Sequence, residues 1–569
     1  MKIYILTLLA ISLAMVSCTK FLEEDPKASY TTENFYTNAE ALSAGVVGTY
    51  SALINLYVVN TNTPLFIGLV GTDEAMSRAT GNNIRPNIDK YNYTASESSI
   101  LEYWGRHYTI IARANEVIDI ATGMYNVSDS LKKVSIGEAR FIRAWAYFKL
   151  VQSFGAVPLV LDRLADFSNF DFGLDRAPVD AVYSQIIKDL EYCIQKNVLP
   201  KAKNGGRVTH YAAKTLLAKV YLTMASAKES EKVEGYANIE MPVQELYQKS
   251  YNYSADVMIN GGYSLLPKYS DVFDILKKNS NTESIFEIQF SSVVPYGTQW
   301  SKEFGSFYSG GASGGTAAAG FQWRERAVAG PGQLVSVPSF RHYYTRDGYD
   351  IRRKWNLADS IIQFNANNEA IGKLGFNQLS NKGVVGENGD ANAYKYSGVT
   401  KYRWGEHHDN MWKDKSPYLY TNEPTNVIVL RYADVLLMFA EADLKLNGGT
   451  ATQAGVDAVN LIVQRARGLR SDGITPVTEA ETPTFKNYTT STLTFDEIMK
   501  ERARELCFEF QRWYDLARTG TFEKYLSARD AFTNTRTNFN PNRNYLLPIP
   551  QTEIDKSTNK SGLYQNPRY

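Results

Sequence analysis

The stretch that decides the fold is ARFIRAWAYFKLVQSFGAVPLV, residues 139–160. Its large apolar side chains recur at intervals of three and four residues, namely Phe141, Trp145, Phe148 and Val151. That spacing places side chains along one face of an α-helix. Gly155 and Pro158 follow and are typical of a helix end. The pattern predicts a helix over 130–154 that buries its apolar face.

Similar patterns continue on both sides of this stretch. They predict helices over 100–124, about 178–197, 209–225, 243–260, 426–446 and 452–467, and a last long helix beginning at Thr494. Thr494 and Glu497 have the spacing of a capping box. Helices of similar size joined by short turns are the unit of a tetratricopeptide-like stack, although the repeat in sequence is weak. The predicted fold class is mainly α.

The middle of the chain has a different pattern. Residues 283–290 (ESIFEIQF) alternate as a strand does. Residues 291–425, the loop lobe, then contain many Gly, Asn, Ser, Trp and Tyr residues with little helical period. Long loops in compact domains are usually functional. We therefore expect the binding surface to lie in the loop lobe.

The N-terminus predicts export. Lys2 precedes an apolar run over 3–16, which suits a signal peptide of residues 1–17 and is short for a spanning helix. Ser17 and Cys18 resemble the end of a bacterial lipobox, which predicts lipid attachment at Cys18; an ordinary signal peptide is the alternative. Later apolar stretches carry charges, so we expect an anchored protein and no spanning helix.

Composition excludes some partners and sites. Without residues 1–17 the 61 basic residues become 60 and match the 60 acidic ones, with no basic block, so nucleic acid is not an expected partner. Cys193 and Cys507 lie in helix-patterned apolar segments and are expected to be buried free thiols. The 38 tyrosines exceed what surface loops need, and some must fill the core.

No motif predicts an enzyme or a cofactor. Residues 311–315 (GASGG) fit the nucleophile-elbow pattern but lie in a glycine-rich tract without the strand and helix that the motif needs. The run 406–409 (EHHD) offers adjacent histidines and no third ligand, and 386–392 (GENGDAN) lacks full calcium-loop spacing. Asp73 and Glu74 pair two carboxylates, but glycoside hydrolysis needs a sugar-sized gap between them. We expect no metal, no cofactor and no catalysis.

The chain resembles the SusD/RagB family of nutrient-binding lipoproteins. The matching pieces run almost end to end: 21–42 (FLEEDPKASYTTENFYTNAEAL), 139–160, 175–191 (DRAPVDAVYSQIIKDLE), 206–222 (GRVTHYAAKTLLAKVYL), 427–449 (VIVLRYADVLLMFAEADLKLNGG), 497–520 (EIMKERARELCFEFQRWYDLARTG) and 545–555 (YLLPIPQTEID). The resemblance implies about four tetratricopeptide-like units and a loop-rich lobe with a few short strands. It also implies an outward-facing place on the outer membrane and a SusC-like TonB-dependent transporter as partner. The implied domains are a lipidated tether at 18–30, an N-terminal helical region at 31–280, and a C-terminal region at 281–569 with the closing helices.

The family's binding surface points to two places here. One is 71–93, with the candidates Asp73, Arg78, Asn82, Arg85 and Tyr91. The other is 296–324, with Tyr296, Trp300, Tyr308 and Trp323, which Trp404 and Trp412 could extend. Aromatic rings stack on the apolar faces of sugars, and polar side chains bond the hydroxyls.

Other conspicuous side chains are expected to be structural. Trp104, Trp145 and Trp513 lie in helical runs and should fill the core. Arg431, Arg502 and Arg512 should form structural ion pairs. The sequence thus predicts a surface lipoprotein that binds an oligosaccharide and delivers it to a transporter; a peptide receptor and, less favoured, a surface glycoside hydrolase are the alternatives.

Overall fold

The computed structural model describes residues 35–58, 66–77, 84–163, 173–278, 281–293, 297–298, 334–344, 350–358, 360–364, 370–375, 398–399, 401–402, 424–533 and 536–569. The predicted signal peptide, Cys18, the tether and most of the loop lobe lie outside these residues. No helix within these ranges is long and apolar enough to cross a membrane.

Helices dominate the described part of the chain, as the sequence predicts. They are α1 (Ala39–Ile54), α2 (Ile84–Lys90), α3 (Ser98–Gly123), α4 (Asp129–Phe154), α5 (Val179–Cys193), α6 (His210–Ser230), α7 (Val243–Asn260), α8 (Ile351–Asn356), α9 (Tyr432–Leu446), α10 (Gln453–Arg467), α11 (Phe495–Leu506), α12 (Arg512–Arg518), α13 (Phe522–Thr533) and α14 (Gln551–Lys556). Short 3₁₀ turns lie at Tyr236–Asn238, Tyr269–Phe273, Pro338–Tyr344 and Glu479–Glu481.

Successive helices pack side by side. α1 lies on α3, α3 on α4, α4 on α5, α5 on α6 and α6 on α7, while α9 packs against both α7 and α10. This packing of successive helices is consistent with the tetratricopeptide-like pairing and confirms the mainly α fold. Local signals set several ends: Thr209 and Thr452 cap α6 and α10 with their side chains, and Gly155 ends α4 at a positive φ of 72°.

The predicted capping box at α11 forms only in part. The Thr494 side chain accepts a hydrogen bond from the Glu497 backbone N–H. The Glu497 carboxylate, however, accepts hydrogen bonds from Lys500 and Tyr488. The helix therefore begins where the sequence predicts, with one of the two expected contacts.

The strands are short. They are β1 (Ala75–Ser77), β2 (Ser284–Ile288), β3 (Leu334–Ser336), β4 (Leu357–Ala358), β5 (Ser360–Phe364), β6 (Ala370–Gly375), β7 (Gly398–Val399) and β8 (Val427–Arg431). One antiparallel sheet has the order β1-β3-β7-β4; β2 pairs with β8, and β5 with β6.

One prediction about this region is wrong. The sequence predicts a helix over 426–446, but its first part is strand β8 and the helix begins at Tyr432. Val427, Ile428 and Val429 are β-branched, a side-chain shape that favours strands. β2 lies beside them, with Ser284 opposite Arg431 and Ile288 opposite Val427. The predicted strand over 283–290 is confirmed as β2.

The core lies between the helix pairs and the strand pair. Trp104, Trp145 and Trp513 are buried in it, as predicted. Several tyrosines are also fully buried, among them Tyr147, Tyr183, Tyr221, Tyr236, Tyr247 and Tyr269. Cys193 and Cys507 are buried free thiols in the described structure, as predicted, and burial raises the pKa of Cys507 to about 12.

Candidate functional site

The two ends of the loop lobe meet at the β2–β8 strand pair. The loop lobe follows β2 in the chain and precedes β8. The two strands are joined by a side-chain hydrogen bond, in which Asn426, the residue before β8, donates to the Glu287 carboxylate from 139 positions away. The lobe therefore begins and ends at one place on the helical body.

A buried ionic network lies directly behind the strand pair. Arg431, at the end of β8, bonds three carboxylates: Glu283 at 2.8 Å, Glu505 at 2.7 Å and Glu509 at 2.8 Å. Arg465 of α10 pairs with the same Glu283 and Glu505. The sequence prediction that Arg431 is structural is confirmed.

Residues of the loop lobe itself enter this network. Arg352 bonds Asp350 and Glu501 at 2.6 Å and Glu505 at 3.0 Å. Lys401 bonds Glu509 at 2.5 Å and the carbonyl oxygen of Cys507 at 2.8 Å. The network consists of five cations and five carboxylates, all buried: Arg352, Lys401, Arg431, Arg465, Arg504, Glu283, Asp350, Glu501, Glu505 and Glu509.

The electrostatics of the network favour the charged forms. Burial raises the pKa of Glu501, but Arg352 and Arg504 outweigh burial and hold that pKa at about 2. Burial likewise opposes ionisation of Glu505, yet Arg465, Arg431 and Arg352 hold its pKa well below the usual range. The arginines of the network thus keep the carboxylates of Glu501 and Glu505 ionised near neutral pH.

Asp73, predicted to bind ligand, belongs to another buried pair. Asp73 is buried, with 2% of its surface exposed. Arg512 of α12 bonds both oxygens, at 2.7 and 2.6 Å, and the Tyr343 hydroxyl donates to Oδ2 at 2.6 Å. With its oxygens so occupied, Asp73 joins 66–77 to the C-terminal helices and is corrected from a ligand contact to a structural one. The structural role predicted for Arg512 is confirmed, and so is that of Arg502, which pairs with Asp434 and Asp515.

Tyr91 is corrected for the same reason. It is buried at a positive φ of 59°, and its hydroxyl donates to the Gly71 carbonyl at 2.6 Å. Gly71 has a φ of 75°, and a Cβ there would lie 3.2 Å from the Tyr91 ring, so the contact requires glycine. Tyr91 fastens one turn to another inside the protein.

Glu74, the other member of the carboxylate pair, is also buried. Its Oε1 accepts the Phe508 backbone N–H at 3.0 Å. Burial raises the pKa of Glu74 to about 8, and the nearby Arg512 only partly opposes that rise. A protonated, buried acid beside a paired one does not form the open two-carboxylate site of a glycosidase.

The remaining predicted ligand contacts lie outside the described side chains. These are Arg78, Asn82, Tyr296, Trp300, Tyr308, Trp323, Trp404 and Trp412. Arg85 belongs to α2, but its side chain also lies outside the description. The runs 311–315, 386–392 and 406–409 are likewise outside it. Within the ranges described, no group of three His, Cys, Asp or Glu side chains could hold a metal ion.

Sequence reasoning missed an aromatic cavity between α3, α4 and the 508–514 segment. Its lining is Leu56, Tyr57, Ile67, Tyr103, His107, Trp145, Lys149, Phe510 and Tyr514, and its volume is about 30 Å³. The Lys149 ammonium lies 4.1 Å from the centre of the Tyr514 ring. His107 Nδ1 bonds the Tyr103 carbonyl at 2.7 Å, while its Nε2 has no partner among the described residues. The sequence holds one signal of this cavity: Lys149 is the single lysine in the apolar stretch 139–160.

Burial keeps both polar groups of this cavity towards their neutral forms. Burial, together with the neighbouring Lys219, lowers the pKa of Lys149 to about 7. It lowers the pKa of His107 to about 3, against the opposing effect of the Tyr103 carbonyl. A volume of this size holds about one water, so the cavity does not accommodate a sugar.

Known proteins resemble the whole chain. A sequence model of the SusD family matches residues 282–569, just over half of it. A second model, described as starch-binding and associating with the outer membrane, matches residues 20–222. SusD-like protein P2 of Formosa agariphila is 27% identical over 575 residues, with 100% of both chains covered.

Solved structures share the fold. A SusD homologue from Bacteroides thetaiotaomicron superposes with a TM-score of 0.70 at 22% identity, over 95% of this chain and 98% of that one. A laminarin-binding SusD-like protein superposes with a TM-score of 0.69, also at 22% identity, over 94% of this chain and 100% of the other. With the family model covering the strand pair, the ionic network and the closing helices, the chain belongs to the SusD family.

Proposed function

We propose that this protein binds an oligosaccharide at its loop lobe, without catalysing a reaction, and passes it to a partner transporter. The observation that carries the proposal is the anchoring of the lobe. Both of its ends meet at β2–β8, and Arg352 and Lys401 from within it enter the buried ionic network. A long loop region that is attached to the body at these points is suited to presenting a binding face.

The composition of the lobe suits sugars. Five of the chain's eight tryptophans fall within it: Trp300, Trp323, Trp355, Trp404 and Trp412. Sugar rings offer apolar C–H faces to flat aromatic rings, and their hydroxyls offer hydrogen bonds to Asn, Ser and Tyr. Such a face binds neutral glycans well and needs no metal.

Two similarities support the choice of ligand. The family model over 20–222 is described as starch-binding, and one protein of the same fold binds laminarin. Starch and laminarin are both glycans. The burial of Asp73 and Glu74 favours binding over hydrolysis, because neither carboxyl group reaches a ligand at the surface.

The anchor and the partner complete the proposal. Lipidation at Cys18 would hold the mature chain at the outer membrane. The family matched over 20–222 is described as associating with that membrane. A lipid anchor confines two proteins to one plane and raises their effective concentration. A SusC-like TonB-dependent transporter in that membrane is the proposed recipient. Protease shaving of intact cells tests the orientation: cleavage supports an outward-facing protein, and full protection contradicts it.

Isothermal titration tests the binding proposal. Purified protein is titrated with a panel of neutral oligosaccharides and, separately, with short peptides. We expect saturable binding of at least one oligosaccharide series and no production of new reducing ends. The double variant Trp300→Ala, Trp323→Ala should lose at least about tenfold in affinity, equivalent to about 1.4 kcal/mol.

A matched surface aromatic provides the control. Tyr125 is fully exposed at the turn between α3 and α4, and Tyr125→Ala should bind as the wild type does. Binding of peptides alone would favour the peptide receptor instead. Release of reducing ends would favour a hydrolase, and wild-type affinity in the double variant would contradict the assignment of the two tryptophans.

A further inference from the structure

A second pocket lies at the root of the loop lobe, where the chain enters and leaves it. Its volume is about 210 Å³. The lining residues, which we call the root pocket, are Ile275, Leu276, Lys278, Phe290, Ser291, Ser292 and Pro424. Phe290 to Ser292 follow β2, and Pro424 precedes β8. The pocket is thus built from the two chain ends that carry the lobe.

The pocket is held in shape by Lys278. Its ammonium donates to the Phe290 carbonyl at 3.0 Å and to the Pro424 carbonyl at 2.9 Å, which ties the outgoing and returning chains together. An ammonium group has three N–H donors, so one remains available. Phe290 and Ile275 are buried and give the pocket an apolar floor.

The rim is unusually apolar for a surface. Leu276 is 61% exposed, and Val293, which follows the pocket's Ser292, is 63% exposed. These two side chains place aliphatic carbon beside the pocket, where it can contact the apolar face of a ligand. Ser291 and Ser292 also line the pocket, so its wall combines apolar and polar side chains.

We propose that the root pocket is a separate subsite for one sugar ring of a bound oligosaccharide. This rests on the glycan-binding function proposed above. Leu276 and Ile275 meet the C–H face of the ring, while the free N–H of Lys278 and the O–H of Ser291 donate to its hydroxyl groups; the Ser291 oxygen already accepts the Val293 N–H. The volume is below the roughly 300–1,000 Å³ of pockets that enclose drug-sized ligands, so one ring enters and the rest of the chain extends outward.

A ladder of chain lengths tests the subsite. Oligosaccharides of two to eight sugars, from a series that the wild type binds, are titrated into wild type and Leu276→Asp. The charged side chain repels the apolar ring face and should weaken binding of the longest members about fivefold, or about 1 kcal/mol. The shortest members are too short to reach the root pocket from the binding face of the lobe, so their affinity should not change.

A matched control separates the subsite from general effects of a surface charge. Ile474 is 80% exposed in another loop, and Ile474→Asp should leave the whole ladder unchanged. As a second measurement, the backbone amides of 290–293 should exchange more slowly in wild type with a long ligand and not with a short one. The subsite proposal would be overturned if Leu276→Asp bound every chain length as tightly as the wild type does and long ligands did not slow amide exchange at 290–293. Glycan binding by the lobe would be unaffected by that result. A wild type that binds no oligosaccharide would overturn both proposals.

Discussion

The ionic network and the aromatic cavity bury charged residues in opposite ways. In the network, Arg431 and Glu505 each contact several groups of opposite charge. In the cavity, Lys149 meets an aromatic ring at 4.1 Å, and no carboxylate pairs with it among the described residues. The first region keeps the Glu505 carboxylate ionised, and the second drives the Lys149 amine towards neutrality. Both groups are buried, so the presence or absence of an oppositely charged partner decides whether each one stays ionised.

The difference follows the position of each region. The network joins the loop lobe to the helical body, where a charge pair with defined geometry fixes one arrangement of strands and helices. The cavity lies among packed aromatic rings between α3 and α4, where shape already fixes the arrangement. At the root of the loop lobe, then, paired charges do what packed aromatic rings do between α3 and α4.

Removing the central carboxylate of the network should have the largest effect. Glu505→Gln leaves three guanidinium groups with one fewer buried anion, those of Arg352, Arg431 and Arg465. Breaking a buried pair in this way costs about 3–5 kcal/mol. Urea unfolding measures the loss.

An exposed carboxylate provides the matched comparison. Glu481 also bonds an arginine, Arg470, at 2.9 and 3.0 Å, but both lie at the surface. Glu481→Gln should leave the free energy of unfolding close to that of the wild type, because water screens an exposed pair. Equal losses in the two variants would break the comparison, because burial and multiple partners would then contribute nothing.

The sequence anticipates the helices better than the site. Apolar spacing and caps predict α7 at 243–260 as observed and place the starts of α6 and α10 to within a residue. The same reasoning fails at β8, because a short apolar run fits a helix or a strand. What decides there is β2, whose residues pair with β8 from about 140 positions away.

The candidate site shows the same limit more strongly. Asp73 reads as an exposed hydrogen-bonding group in its local sequence. Its partner Arg512 lies 439 residues along the chain, and no local pattern reveals that distance in space. The reverse inference succeeds for Arg431, Arg502 and Arg512, because an arginine in a buried segment must find an anion.

Glu74 is an intermediate case that sharpens the comparison. It is buried and accepts one backbone hydrogen bond, and the charged groups around it are Asp73, Arg512 and Lys401. Its pKa is about 8 when folded, above the ordinary value of 4.5. The folded state therefore holds a proton that the unfolded state releases, and stability falls as pH rises from about 4.5 to 8.

Glu74→Gln should remove that part of the pH dependence. We expect the wild type to lose on the order of 2 kcal/mol more than the variant between pH 5 and pH 8. Urea unfolding at several pH values gives the two profiles. Parallel profiles would mean that Glu74 is ionised in the folded protein and belongs with the network.

The smallest expected effect is a gain in stability from the unpartnered lysine. Lys149→Met keeps an unbranched side chain among the aromatic rings and removes the amine. The folded pKa of about 7 lies below the ordinary 10.5. The wild type is therefore penalised fully below pH 7, and the penalty declines as pH rises towards 10.5. The variant should gain on the order of 1–2 kcal/mol at pH 6 and less than about 0.5 kcal/mol at pH 9.5.

Lys219, in the same region, is the control that distinguishes partners from burial. It bonds Asp434 at 2.8 Å and also donates to Gln511. Lys219→Met removes a partner from the buried Asp434 and should lower the free energy of unfolding, opposite in sign to Lys149→Met. Two lysines close enough to perturb one another would then change stability in opposite directions because only one has a carboxylate to bond. Two gains or two losses of similar size would show that the cavity itself, and not the pairing of each amine, sets the cost.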